Sequence, residues 1–164
     1  KCRVKIVGPN GLREDLACNI PISPGINSLE KGEFIKSIII PKRSMYSSDS
    51  YIRFTPRSEM DIAVVNAAAE VELDSSHTRF VDVRIAIGAV APTPLFVSEA
   101  GNAIKNKPVN RKAIDHAGDV AMACAKPISD MRGTADQRRD LTRIMTIRAL
   151  ERAVRRAGGT ITDD

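Results

Sequence analysis

Hydrophobic and polar positions change rhythm near Val97. Before it the apolar residues come in short runs or alternate; after it they recur at helical spacing. Arg3 to Val7 and Ser37 to Ile40 read as short strands, separated by turn-rich GPNG (8–11) and PISPG (21–25). The polar segment PKRSMYSSDS (41–50), with Pro41 and its serines, predicts a domain boundary. Asp61 to Leu73 and Thr78 to Ile87 are the next strands expected, the second alternating as Phe80, Val81, Val83, Ile85 and Ile87. Pro92 and Pro94 in GAVAPTP forbid a helix and predict a short extended strand leading to Leu95, Phe96 and Val97. Ser98 to Lys105 predicts two helical turns. Residues 110–125 set Ala113, Ile114, Ala117, Val120, Ala121 and Cys124 on one stripe, ended by Pro127. The last helix has a capping-box spacing at Thr134 to Gln137, a stripe of Leu141, Ile144, Ile147 (with Met145 beside it), Leu150 and Val154, and a stop at Gly158 and Gly159. At about 22 residues it would be roughly 33 Å long, enough to cross a small sheet. Strands followed by helices predict an α+β domain from about 49 to 159.

The 164 residues are 43% hydrophobic and 27% charged, enough apolar material for one or two small cores. No run approaches the roughly 18 apolar residues of a membrane span, and KCRVKIVGPNG lacks a signal-peptide core, so a cytoplasmic protein without a membrane span is expected. Cys2, Cys18 and Cys124 are odd in number and far apart, against both a disulfide framework and CxxC metal ligation. Arg132 to Arg156 holds eight arginines against Asp136, Asp140 and Glu151, which accounts for the whole net charge of +5. Asp136 with Arg139, Asp140 with Arg143, Arg148 with Glu151 and Glu151 with Arg155 stand at pairing distance along a helix. A solvated or subunit-facing helix is therefore expected rather than a nucleic-acid surface, and the scarcity of aromatic residues to stack on bases points the same way.

Generic catalytic motifs are missing: the sequence has no GxGxxG, Walker A, HExxH or GxSxG. His77 and His116 are isolated. A Cys124 nucleophile served by His116 would need two groups about 12 Å apart on one helix, too far for direct proton transfer. The residues by themselves describe an α+β domain without catalytic machinery of its own.

Four ordered blocks nevertheless resemble the flavin, or medium, subunit of the molybdenum hydroxylases, the family of xanthine dehydrogenases and aerobic carbon monoxide dehydrogenases. They are GEFIKSIIIP (32–41), SYIRFTPRSEMDIAVVNAAAEV (50–71), VRIAIGAVAPTPL (83–95) and AKPISDMRGTADQRRDLTRIMTIRALERA (125–153). The resemblance implies that 1–48 ends an FAD-binding domain. It implies that 49–164 is the family's C-terminal domain, a small antiparallel sheet of about three strands packed by helices. It implies FAD as cofactor of the complete subunit, with the pyrophosphate held by glycine-rich segments upstream of Lys1. The implied partners are that upstream half, an iron-sulfur subunit that delivers electrons, and a molybdenum cofactor subunit that oxidises the substrate.

The resemblance also nominates residues. Ile35 and Lys36 match a position where the backbone meets the flavin, although an edge-strand pair in which Lys36 discourages aggregation fits equally. Tyr51 matches a residue that lies over the ring in some members, or is a cross-strand aromatic. Arg53 replaces a lysine usual near the flavin. Arg57 and Asp61 belong to the loop beside the ring, or form a surface ion pair. Asp130 and Arg132 are expected to fix the turn before the last helix. Three readings stay open: part of an electron-transferring flavoprotein subunit, a non-catalytic interaction module that no longer binds FAD, and a basic nucleic-acid-binding domain.

Overall fold

The turn chemistry of Gly8-Pro-Asn-Gly11 closes the first hairpin of the computed structural model, which describes residues 2–57 and 61–163. Strand β1 (Arg3–Gly8) pairs antiparallel with β2 (Gly11–Leu16), and Gly11 takes φ 106°, a value few other residues tolerate. On its other side β1 pairs with β5 (Phe34–Ile39), giving the order β2-β1-β5. Between them β3 (Pro21–Ser23) and β4 (Ile26–Asn27) form a small hairpin about the expected PISPG turn. Sequence pattern missed β2, because its Arg13, Glu14 and Asp15 are charged. Only Val4 and Ile6 are buried in this region, while Phe34, Ile38 and Ile40 are 58%, 62% and 76% exposed. Contacts divide the chain into this unit, Lys1–Arg43, and a second, Ser44–Asp164.

The second unit is a four-stranded antiparallel sheet in chain order, β6 (Ser47–Phe54), β7 (Val65–Leu73), β8 (Phe80–Gly88) and β9 (Leu95–Phe96). One strand more is present than the resemblance implied. The serines of 47–50, expected to mark a boundary, begin β6; Ser48 and Ser50 turn inward and let a helix approach closely. Strand β7 starts at Val65 rather than Asp61, because 61–64 belongs to the preceding loop. Its strict alternation buries Val65, Ala67, Ala69, Val71 and Leu73 on one face.

Three helices cover that inner face: α1 (Ser98–Ile104), α2 (Arg111–Cys124) and α3 (Ala135–Arg156). Helix α3 lies on β6 and β7, α1 on β8, and α2 on both helices. Gly101 admits α1 to the sheet, since a Cβ there would stand 2.2 Å from the Val83 carbonyl oxygen. Thr134 caps α3 by accepting the Gln137 N–H at 3.1 Å, as its spacing predicted, and Gly158, at φ 88°, with Gly159 ends it. The expected stripe of α3 is buried at Ile147, Leu150 and Val154, and the buried face is wider than expected. Arg138, Thr142, Met145, Thr146, Ala149 and Ala153 face inward, whereas Ile144 is 38% exposed. Small and hydroxyl-bearing residues were overlooked because the sequence criterion weighed only large apolar ones.

Candidate functional site

Every helix packs on one side of the second unit's sheet, so the other side is built from the alternate residues of each strand. Register defines its rows. Arg53, Asn66 and Gly88 form one; Tyr51, Ala68, Ala86 and Phe96 the next; then Asp49, Glu70 and Arg84; then Ser47, Glu72 and Asp82. Small residues make the middle row a floor at backbone level, with Tyr51 (58% exposed) and Phe96 (46% exposed) standing at its two edges.

The two ends of this face differ electrostatically. At the lower end Arg84 is held by Glu70 at 3.0 Å and Asp82 at 2.8 Å, and Lys105 also reaches Asp82 at 3.3 Å. Those charges satisfy one another. At the upper end neither the Arg53 guanidinium, the Tyr51 hydroxyl nor the Asn66 carboxamide has a hydrogen-bond or ion-pair partner among the described residues. A cation, an aromatic ring and an amide with unspent bonding capacity beside an alanine and glycine floor suit a flat polar heterocycle, for which stacking and edge hydrogen bonds are the natural contacts.

Of the residues nominated from sequence, Tyr51 and Arg53 therefore share the outer face of β6, two positions apart. Arg57 and Asp61 lie together in the loop between β6 and β7: Asp61 accepts the Arg57 N–H at 3.1 Å, and the side chains approach to 3.5 Å. Burial pushes the Asp61 carboxyl up, but the Ile62 and Arg57 N–H groups and the guanidinium outweigh it and hold the group below its ordinary range. The pair thus acts as a staple within its loop; residues 58–60 of that loop lie outside the described residues. Ile35 and Lys36 belong to the first unit, side by side on the exposed strand β5. The first unit's open polar depression is lined by Asn10, Arg13, Glu30, Lys31 and Glu33, and its arginine is already committed. Arg13 binds both Glu33 oxygens at 2.7 Å and holds that carboxyl at about 2.

Sequence reasoning missed Arg138, which is 5% exposed. Its guanidinium donates to the carbonyls of Val64 at 2.9 Å and Ala89 at 3.1 Å, and to both Asp130 oxygens at 2.8 Å. Asp130 also accepts the Arg132 N–H, and these two donors, the backbone one first, keep its carboxyl below the ordinary range. The clamp joins the start of β7 and the bend after β8, both at the Arg53 end of the sheet, to helix α3. Its signal was visible: Arg138 stands four before Thr142 and seven before Met145, on the buried stripe.

Two of the expected ion pairs are exchanged for others. Arg143 bonds Asp119 of α2 at 2.5 Å rather than Asp140, and Glu151 is engaged by Arg111 rather than Arg148. The pairs Asp136–Arg139, at 2.8 Å, and Glu151–Arg155, at 3.8 Å, form as expected, and Arg156 donates to the Asp49 carbonyl. His77 is neither a free surface group nor helical. At φ 59° its Nδ1 lies 2.9 Å from the Ala157 carbonyl oxygen at the end of α3, and its ring meets Tyr46 edge-on.

The sequence pattern of the family described as CO dehydrogenase flavoprotein C-terminal domain matches residues 50–153, from the outer-face strand β6 into α3. The chain belongs to this family. Over 153 residues it is 33% identical to the carbon monoxide dehydrogenase medium chain of Afipia carboxidovorans, covering 93% of this chain and 52% of that one. It is 27% identical over 160 residues to a xanthine dehydrogenase FAD-binding subunit of Escherichia coli O157:H7, covering 97% and 54%. Among solved structures, a carbon monoxide dehydrogenase from Hydrogenophaga pseudoflava superposes with a TM-score of 0.89 at 28% identity, over 95% of this chain and 53% of that one. Quinoline 2-oxidoreductase from Pseudomonas putida 86 gives 0.86 at 26%. The chain spans about half the length of the curated relatives it matches. The α+β architecture is that of the family, and no helix among the described residues is long and apolar enough to cross a membrane.

Proposed function

We infer that this chain supplies the C-terminal part of the FAD-carrying, electron-transferring subunit of a cytoplasmic molybdenum hydroxylase, with 1–48 ending the FAD-binding domain and 49–164 forming the C-terminal domain. The observation that carries this reading is the upper end of the outer sheet face. In a chain of this family, Tyr51 and Arg53 stand there with their polar groups unspent beside a floor of Ala68, Ala86 and Gly88.

Those residues fit the ring end of FAD. A Cβ on Gly88 would collide with Asn66, so the glycine lets the Asn66 carboxamide lie low on the sheet beside Arg53. FAD when bound accepts two electrons and passes them to an acceptor. Tyr51 offers its ring face to a stacked heterocycle, and the Arg53 guanidinium would stabilise negative charge gathering at the facing edge. The Arg57–Asp61 staple holds the loop beside them. On the family resemblance, Ile35 and Lys36 of the first unit are further candidates for flavin contact in the complete subunit. On the family resemblance an upstream FAD-binding half holds the diphosphate; in this chain Arg13 is committed to Glu33. The exposed Phe34, Ile38 and Ile40 are the apolar surface such a half would cover. An iron-sulfur subunit and a molybdenum cofactor subunit complete the proposed assembly. The arginine-rich helix is read as a solvated or subunit-facing one rather than a nucleic-acid surface, supported by the bonding of Arg138, Arg139, Arg143, Arg155 and Arg156 within the chain.

Tyr51→Ala in the complete FAD-loaded subunit tests the reading. Losing an aromatic stack of about 0.5–1.5 kcal/mol should weaken FAD by roughly two- to tenfold with the melting temperature preserved. Unchanged FAD affinity would place the flavin elsewhere.

A further inference from the structure

Gly88 of β8 lies opposite Asn66 of β7, and Asn66 lies opposite Arg53 of β6. A Cβ built on Gly88 would fall 2.5 Å from Asn66 Oδ1 and 2.9 Å from Nδ2, so the carboxamide is folded down over the glycine and occupies the space any other residue would fill. This side chain is half-buried, yet its donor and its acceptor are both unspent among the described residues. Its amide atoms therefore remain open to solvent or to a ligand. Its neighbour Arg53 is unspent too, and directly paired residues bring their Cβ atoms within about 5.5 Å, so a group that meets one is within reach of the other.

We propose that Asn66, seated in the notch left by Gly88, reads the pyrimidine edge of the flavin and so determines which ring the site accepts. This rests on the flavin reading above. The two unspent groups have different chemistry. A guanidinium only donates, so Arg53 answers to a carbonyl or to accumulating negative charge and cannot recognise an N–H. The flavin pyrimidine edge alternates acceptor, donor, acceptor: C2=O, N3–H, C4=O. A carboxamide carries an acceptor beside a donor and can bond N3–H and an adjacent carbonyl together. Asn66 is therefore the residue of this row able to detect N3–H, and a site built to bond an N–H rejects an analogue that lacks it. Gly88 is the positioning residue, since a side chain there would displace the amide.

The test uses the complete subunit, stripped of flavin and reloaded with FAD or with FAD methylated at N3. The unmodified subunit should prefer FAD by at least about tenfold, the scale of one or two hydrogen bonds. Asn66→Ala should lose most of that preference, and Gly88→Ala should lose it in parallel by pushing the amide aside. Arg53→Gln should keep the preference. Should Asn66→Ala discriminate as well as the unmodified subunit while Tyr51→Ala still loosens FAD, the assignment of Asn66 is wrong and the flavin reading stands. Should none of the Tyr51, Arg53 and Asn66 substitutions affect either ligand, the flavin reading falls and this inference with it.

Discussion

The Arg138–Asp130 clamp makes the most demanding prediction about how the fold holds the site. Replacing Arg138 with Met keeps most of the side-chain volume but strips the Val64 and Ala89 carbonyls of their donor. The buried Val64 acceptor left unpaired costs about 1–3 kcal/mol, whereas the carbonyl of the exposed Ala89 can turn to water, so Arg138→Met should destabilise by roughly 1–3 kcal/mol. Asp130, with its side chain 34% exposed, regains water and adds little. Asp130→Asn acts from the other side. It leaves a guanidinium that is only 6% exposed, and whose Nε already lacks a partner, facing a neutral group. Breaking a buried pair this way costs up to about 3–5 kcal/mol. The double variant should cost less than the two singles together, with a coupling of about 1–3 kcal/mol. Urea unfolding of all four proteins, with unchanged m-values, gives the cycle. Additive losses, or an Asp130→Asn variant within 0.5 kcal/mol of the unmodified protein (the scale of an ordinary surface substitution), would refute the claim that the charge is buried and paired.

Glu33 is ionised in the fold down to about 2 against an ordinary 4.5, so its contribution is complete above 4.5 and lost as pH falls toward 2; Glu33→Gln should flatten that part of the acid-unfolding curve of the first unit. Gly101→Ala would set a methyl group 2.2 Å from the Val83 carbonyl and lift α1 from β8, costing about 1–3 kcal/mol or more in thermal unfolding; a neutral result would contradict the close approach. Hydrogen exchange should be slowest along β7, paired on both sides and buried on one face, and faster along the exposed β5; equal protection of the two would count against treating the first unit as incompletely covered.

What the sequence disclosed follows from which physical signals are local. Capping at Thr134, the glycine stop at 158–159 and the proline-bounded strand before Val97 depend on a few adjacent residues, and all three were legible. Alternation in 80–87 was legible because Val, Ile and Phe fill the inner face. The charged strand β2 and the serine-rich β6 were not, because their pairing is set by neighbours distant in the chain. Arg138 was read as one cation among eight, since burial of a charge depends on Val64, Ala89 and Asp130 converging on it. The site was half legible. Resemblance nominated Tyr51 and Arg53, but the row they form with Asn66 and Gly88 exists only once the register of three strands is fixed. Arg57 and Asp61 form the ion pair weighed for them, and the pair shapes their loop.

The central claim is that Arg53 faces the flavin, and the two-electron reduction potential of the FAD-loaded subunit tests it most directly. Reduction leaves negative charge near N1 and the adjacent carbonyl, so a fixed cation there favours the reduced form. If Arg53→Gln removes about 1.4 kcal/mol from the reduced state alone, spectroelectrochemical titration should find the potential lowered by roughly 30 mV, with FAD still fully bound. An unchanged potential at full occupancy would mean that Arg53 is an exposed charge on the sheet and that the flavin does not meet this face.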